Sequence, residues 1–183
     1  MKATGIVRRV DELGRIVIPK EIRRTLHIKN GDPLEIYTTE SGGVILKKYS
    51  ALKDLSDFAA QYADSLAKTS GHTLMITDRD VVVAVSGASK REYLDKKISR
   101  ALENIMEDRD TVINKGHSDR TVNILEDKDS EIFSSQVITP ILAHGDAIGT
   151  VMMLSADKKA TFGELETKLT QSAANIIGRQ LEQ

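Results

Sequence analysis

Cysteine is absent from this chain of 183 residues. That excludes disulfides, thiolate zinc sites, iron–sulfur clusters and thiol redox switches. No apolar run reaches the length of a membrane span, and no basic-then-apolar leader opens the chain. Neither insertion nor secretion is therefore expected, and the sequence reads as cytoplasmic. The four histidines, His27, His72, His117 and His144, never fall at metal-ligand spacing, so no metal is expected. A P-loop, a dinucleotide-binding glycine run and a G-x-S-x-G elbow are all missing. Acids are plentiful, yet no carboxylate pair stands out from helix-surface charge. These absences argue against an enzyme and against a bound cofactor.

What is present is charge, unevenly placed. Residues 1–50 hold ten Lys/Arg against six Asp/Glu, a net of +4, whereas the remaining 133 residues hold sixteen against twenty-one, a net of −5. The whole-chain charge of −1 conceals two electrostatically opposite parts. At this length two small domains fit better than one, and the division falls between residues 1–50 and 51–183. The stretch Val7–Arg24, VRRVDELGRIVIPKEIRR, gathers Arg8, Arg9, Arg15, Lys20, Arg23 and Arg24, interrupted only by Asp11, Glu12 and Glu21. So dense a basic segment in a slightly acidic chain points to a polyanion partner, most simply double-stranded DNA.

Periodicity gives the first part a coarse map. Ile6–Val10 and Arg15–Ile18 are short β-branched runs on either side of Asp11-Glu12-Leu13-Gly14, a hairpin pattern. Pro19 suits the first turn of a short helix, where its missing N–H would be unpaired anyway. Ile22 and Leu26 share one helical face, with Arg23 and Arg24 on the other. Asn30-Gly31-Asp32 turns the chain, and Leu34–Thr38 and Val44–Lys48 follow as strands joined through Ser41-Gly42-Gly43. About a dozen apolar side chains on short strands are too few for an independent core at this size. Such a module needs a partner subunit, and an obligate dimer with exchanged hairpins would double both the buried area and the basic surface.

The run GIVRRVDELGRIVIPKEIRRTLHIKNGDPLEI closely resembles the AbrB family of bacterial regulators, which have a swapped-hairpin DNA-binding fold. Turn, Arg-Ile-Val-Ile-Pro core and Ile-Arg-Arg occur in order over roughly residues 1–50. The resemblance implies an intertwined dimer and a DNA-facing surface formed by Arg8, Arg15, Arg23 and Arg24. Arginine's planar fork can hold phosphate oxygens or guanine edges in pairs. Arg8 and Arg15 flank the turn and can project together, while Arg23 and Arg24 lie early in a helix whose N-terminus also favours phosphate. Most of these contacts would position the duplex and carry little sequence information. Lys2, Arg9, Lys20 and Lys29 are peripheral phosphate contacts in this reading. The same superfamily includes antitoxins, in which a flexible acidic tail wraps a toxin. Here residues 51–183 look folded, which argues against that role.

The second part opens with a helix carrying Leu52, Leu55, Phe58, Ala59, Tyr62, Ala63 and Leu66 at three- and four-residue steps. Strands are expected over Thr73–Thr77 and Val81–Val85. Ser89 and Glu92 then form a capping-box pattern for one long helix with Leu94, Ile98, Ala101, Leu102 and Ile105 inward. Thr121–Leu125, Phe133–Leu142 and Ala147–Leu154 read as three more strands. Thr161 and Glu164 start a last capped helix with Leu165, Leu169, Ala173, Ile176, Ile177 and Leu181 on its apolar face. The order α-β-β-α-β-β-β-α suggests an α+β module on an antiparallel sheet. The phrase TPILAHGDAIGTVMML resembles the last strand pair of GAF domains, and a PAS domain is the structural alternative. Two readings of the flanking helices stay open: pairing between subunits as a four-helix bundle, or cover for their own sheet.

The GAF resemblance implies a small-molecule or signal-sensing pocket, and Ser86-Gly87, His117 and His144 are the polar groups of interest, each with a plain alternative as a turn or surface residue. The expectation is a DNA-binding transcription regulator, an activator or repressor, that is a homo-oligomer, an intertwined dimer and then a tetramer. The family resemblance implies control of genes during spore formation. The competing class is a signalling or scaffold protein whose basic arm binds another protein.

Overall fold

The computed structural model describes residues 4–26, 28–115, 121–127 and 133–182, which divide into two units, Met1–Tyr49 and Ser50–Gln183.

In the first unit the Asp11–Gly14 turn forms as the sequence suggests. The Gly14 N–H donates to the Asp11 carbonyl and the Asp11 N–H to the Arg15 carbonyl, each at 3.0 Å. Gly14 closes the turn at φ 75°, a left-handed conformation that favours glycine. The runs on either side differ from the expected hairpin, because residues 4–10 and 15–19 form no strands within one chain. A two-stranded ribbon with no second layer has nothing to bury its side chains against, and pairing alone does not hold it. Helix α1, Lys20–Thr25, follows, with Pro19 one place earlier than expected, at the N-cap. The turn at Asn30–Asp32 returns the chain into β1, Leu34–Thr38, and β2, Val44–Lys48, which pair antiparallel from Leu34↔Lys48 to Thr38↔Val44. Lys48 and Asp32 form an ion pair at 3.3 Å at the base of this hairpin. No described residue of the first unit is buried. Val7 is 85% exposed, Leu13 74% and Val17 72%.

The second unit is a five-stranded antiparallel sheet with helices on both faces. Its first helical stretch is broken at Leu55 into α2, Ala51–Asp54, and α3, Ser56–Ser70. The Ser50 hydroxyl accepts from the Lys53 N–H at the start of α2 and donates to the Asp78 carboxylate at 2.7 Å. Strands β3, Thr73–Thr77, and β4, Val82–Ser86, form a hairpin, with Val81 reduced to a bridge to Lys97. The expected single long helix is two pieces, α4, Lys90–Tyr93, and α5, Arg100–Asp108. Ser89 makes no side-chain cap, whereas the Ser99 hydroxyl caps α5 by accepting from the Leu102 N–H. Between the pieces, Asp95 turns left-handed and pairs with Val82, so edge pairing of the sheet outcompetes helix propensity.

A short strand that the sequence reading did not anticipate, β5, Val112–Asn114, precedes β6, Ser135–Ala143, and β7, Asp146–Ser155. The sheet order is β4-β3-β7-β6-β5. Thr121–Leu125 is not the expected strand. The amide of buried Gln136 holds Val122 at both backbone groups, at 2.7 and 3.0 Å, and Leu125 makes a single bridge to Ile98. Helix α6, Glu164–Gln180, completes the unit. Its first turn is capped by Glu166, which accepts from the Gly163 N–H at 2.7 Å, and not by the Thr161–Glu164 pair. Glu164 instead pairs with Lys168.

Alternation along the strands explains the two layers. Leu74, Ile76, Val151 and Met153 join the core beneath α3 and α6, which bury Ala59, Ala63, Ala173, Ala174 and Ile177 there. Met75, Met152 and Leu154 join the opposite core with Tyr93, Leu102, Ile105 and Phe133. Within one chain α3 and α6 therefore cover their own sheet with these residues, while Leu165 and Ile176 of the expected α6 stripe stay exposed. Small residues permit the closest approaches. A Cβ on Gly149 in β7 would lie 1.9 Å from the Thr77 carbonyl and 2.7 Å from Leu52.

Candidate nucleic-acid interface

The basic residues that the sequence singles out lie around the Asp11–Gly14 turn and on α1. Arg15 leaves the turn with its side chain 70% exposed. Its Nε donates to Asp11 Oδ2 at 2.8 Å, and its backbone N–H donates to Asp11 Oδ1 at 2.8 Å. Asp11 Oδ1 also accepts from the Leu13 N–H at 3.0 Å. The Arg15 backbone N–H is the main reason the Asp11 carboxyl is held below the ordinary carboxylate value; slight desolvation opposes it, and the Arg15 guanidinium and Leu13 N–H reinforce it.

Arg8 donates through Nη1 to the carbonyl of its neighbour Val7 at 3.1 Å, a local contact that leaves it on the surface. Arg9 is exposed beside it. On α1, Arg23 is half-buried and reaches across to the next turn, donating to Asn30 Oδ1 at 2.7 Å, while Arg24 and Lys20 are exposed. Helix α1 is six residues long, so its dipole adds little and any grip on phosphate rests on side chains. Lys2 lies outside the described residues, as does His117. The Lys29 backbone N–H donates to Asp32 within the turn. From the sequence, Asp11 is an acid that interrupts the basic run and opens the hairpin turn, and Asn30 is a turn residue. The structure gives each an arginine. The D-x-x-G-R spacing was the available signal, since a turn of that length returns residue i+4 to residue i.

In the second unit, Ser86 donates to Asp64 at 3.3 Å and Gly87 ends β4 against Thr73. His144 turns left-handed between β6 and β7, with its N–H on the Glu182 carboxylate at 2.8 Å. Among the described residues no cluster of His, Asp and Glu has the arrangement of a metal site, and no helix is long and apolar enough to cross a membrane.

Comparison with known proteins follows the same division. Residues 54–182 match the family described as stage V sporulation protein T C-terminal, transcription factor. Residues 7–54 match the family described as antidote-toxin recognition MazE, bacterial antitoxin. Stage V sporulation protein T of Bacillus subtilis (strain 168) is 51% identical over 183 residues, spanning 100% of both chains. Transition state regulatory protein AbrB of the same organism is 65% identical over 49 residues, 27% of this chain and 50% of that protein. Among solved structures, the GAF domain from an Acinetobacter phosphoenolpyruvate-protein phosphotransferase is 10% identical, covers 69% of this chain and 81% of that one, and superposes with a TM-score of 0.55. The second unit therefore has a GAF-like fold.

Proposed function

We propose, for a chain that belongs to the stage V sporulation protein T family, that it is a DNA-binding regulator of transcription during spore formation. The observation that carries this reading is the exposed cationic surface around the Asp11–Gly14 turn and α1, on a unit that is AbrB-like in sequence. Arg8, Arg15, Arg23 and Arg24 face the duplex, and Arg9, Lys20 and Lys2 add outer phosphate contacts. Residues 1–50 form the DNA-binding domain as an intertwined dimer, and residues 51–183 form the domain that senses a signal or joins dimers into a tetramer. A ligand that favours one arrangement of the second domains changes the spacing of the paired basic units and hence affinity. The protein acts in the cytoplasm and carries out no turnover.

The test is duplex binding at several salt concentrations. A dimer presenting four arginines per chain loses roughly a thousandfold in affinity between about 50 and 200 mM salt as counterions are released. Arg15→Ala weakens binding roughly ten- to a hundredfold with oligomer mass unchanged. Binding that ignores both salt and this substitution sinks the reading. A second reading is favoured by the match of residues 7–54 to the antitoxin family: the apolar residues of the first unit would then bind a protein toxin. It predicts a salt-tolerant complex with protein, and it has no role for a folded second unit.

A further inference from the structure

Asp11 is out of place on a surface that meets a polyanion. Every phosphate near it is repelled, and simple electrostatics says that removing the acid should tighten binding. Yet Asp11 is the residue most closely tied to Arg15. Three hydrogen bonds join the two: Asp11 N–H to the Arg15 carbonyl, Arg15 N–H to Oδ1, and Arg15 Nε to Oδ2. The carboxylate splits its work. Oδ1 closes the turn through Leu13 and Arg15, and Oδ2 holds the guanidinium alone.

A guanidinium offers acceptors either its Nε-bearing edge or its two terminal nitrogens. With Nε already given to Asp11, the terminal pair is what remains for an outside acceptor, and no described residue takes it. Two parallel donors of this kind match the O6 and N7 acceptors of guanine in the major groove. A phosphate can take the same pair of donors but does not require the fork to be fixed, since a lysine satisfies it as a point charge, whereas the guanine edge accepts the pair in one orientation only. The other basic residues lack this arrangement. Arg8 is bound to a neighbouring carbonyl, and Arg23 to a neutral amide.

We propose that Asp11 is a positioning residue that fixes the Arg15 guanidinium end-on, so that Arg15 reads a guanine edge while the remaining basic residues hold phosphates. This rests on the DNA-binding reading above. It gives the acid a purpose that opposes its electrostatic effect, and the two effects have opposite signs in an experiment.

The probes are a duplex selected from a randomised pool by the unmodified full-length protein, and poly(dI-dC) as non-specific competitor. The quantity read is the ratio of the two affinities. Asp11→Asn keeps its one oxygen for the Leu13 and Arg15 N–H groups and so turns an NH2, a donor facing a donor, toward Nε. We expect its ratio to fall about tenfold, the size of one lost bidentate base contact, with poly(dI-dC) binding unchanged or tighter. In an Arg15→Ala background the same substitution should leave the ratio unmoved. Arg15→Lys, which keeps both the charge and Asp11, should lose the ratio equally and covers the case in which Asp11→Asn fails to fold. A ratio that survives Asp11→Asn or Arg15→Lys overturns the proposal, as does an equal loss from Asp11→Asn with and without Arg15, which would mark a role in the turn alone. If the unmodified protein neither selects a duplex nor binds poly(dI-dC), the DNA reading itself has failed, and the proposal falls with it.

Discussion

Gly149 shows how a single residue constrains the second unit. It lies within the Ile148-Gly149-Thr150-Val151 phrase, opposite Ile141 in the β6–β7 register. The Thr77 carbonyl and Leu52 both press on the place where a Cβ would stand. Thr150, the next residue, meets Thr77 through paired hydroxyls at 2.8 Å. Neither neighbour can yield cheaply, since one is sheet backbone and the other a fully buried side chain. Gly149→Ala should therefore destabilise the second unit by about 2 kcal/mol or more, as overpacking in closely fitted cores does. Calorimetry on the full chain would register this as a transition lowered by several degrees. An unchanged transition would mean that the sheet and α2 separate more easily than their contact suggests. The glycine's presence was visible in the sequence. Its reason was not, because the atoms that exclude a side chain come from residues 72 and 97 positions away.

Among the elements, Thr121–Glu126 is the most instructive. It has the β-branched composition of a strand, but the Gln136 side chain and single backbone contacts to Lys97, Ile98 and Ser99 hold it in place of a ladder. Gln136 imitates a strand neighbour by donating to and accepting from Val122, and Ser99 ties in through the Asn123 and Ile124 carbonyls. Gln136→Leu would fill the same space and leave both Val122 groups without their partner, a loss of about 1–3 kcal/mol. Hydrogen exchange should show the Val122 amide opening much faster while β6 and β7 keep their protection. Equal protection in the variant would mean that the bridge to Ile98 suffices. The two hairpins β1–β2 and β6–β7 were readable in advance because alternation and local turns define them completely. The break between α4 and α5 was not. The residues from Leu94 to Ile98 have helical spacing, yet Lys96 and Lys97 are recruited by the edge of β4. The interface divides in the same way: its arginines are a compositional signal, whereas the grip of Asp11 on Arg15 depends on how a turn closes.

At the scale of the whole molecule the two units differ in self-sufficiency. The second contains two cores on either face of one sheet. The first has no buried described residue, and Ile6, Val7, Val10, Leu13, Ile16 and Val17 are all exposed. Side chains of this kind do not remain in water on an ordered backbone. Sedimentation of a fragment spanning residues 1–50 should accordingly give twice the fragment mass or more, or an unfolded chain, and never an ordered monomer. A monomer with dispersed amide resonances would contradict the intertwined arrangement directly.

If the first unit folds only as the dimer proposed above, the want of a core among its described residues also makes abundance a control variable. A surface that exists only when two chains meet forms at a rate set by the square of their concentration, and its stability cannot be separated from that concentration. When chains are scarce the second unit would be folded and the basic one would not, leaving the protein without its grip. As chains accumulate, occupied sites rise more steeply than the amount of protein. Dilution alone would then release DNA, with no signal bound and no residue modified.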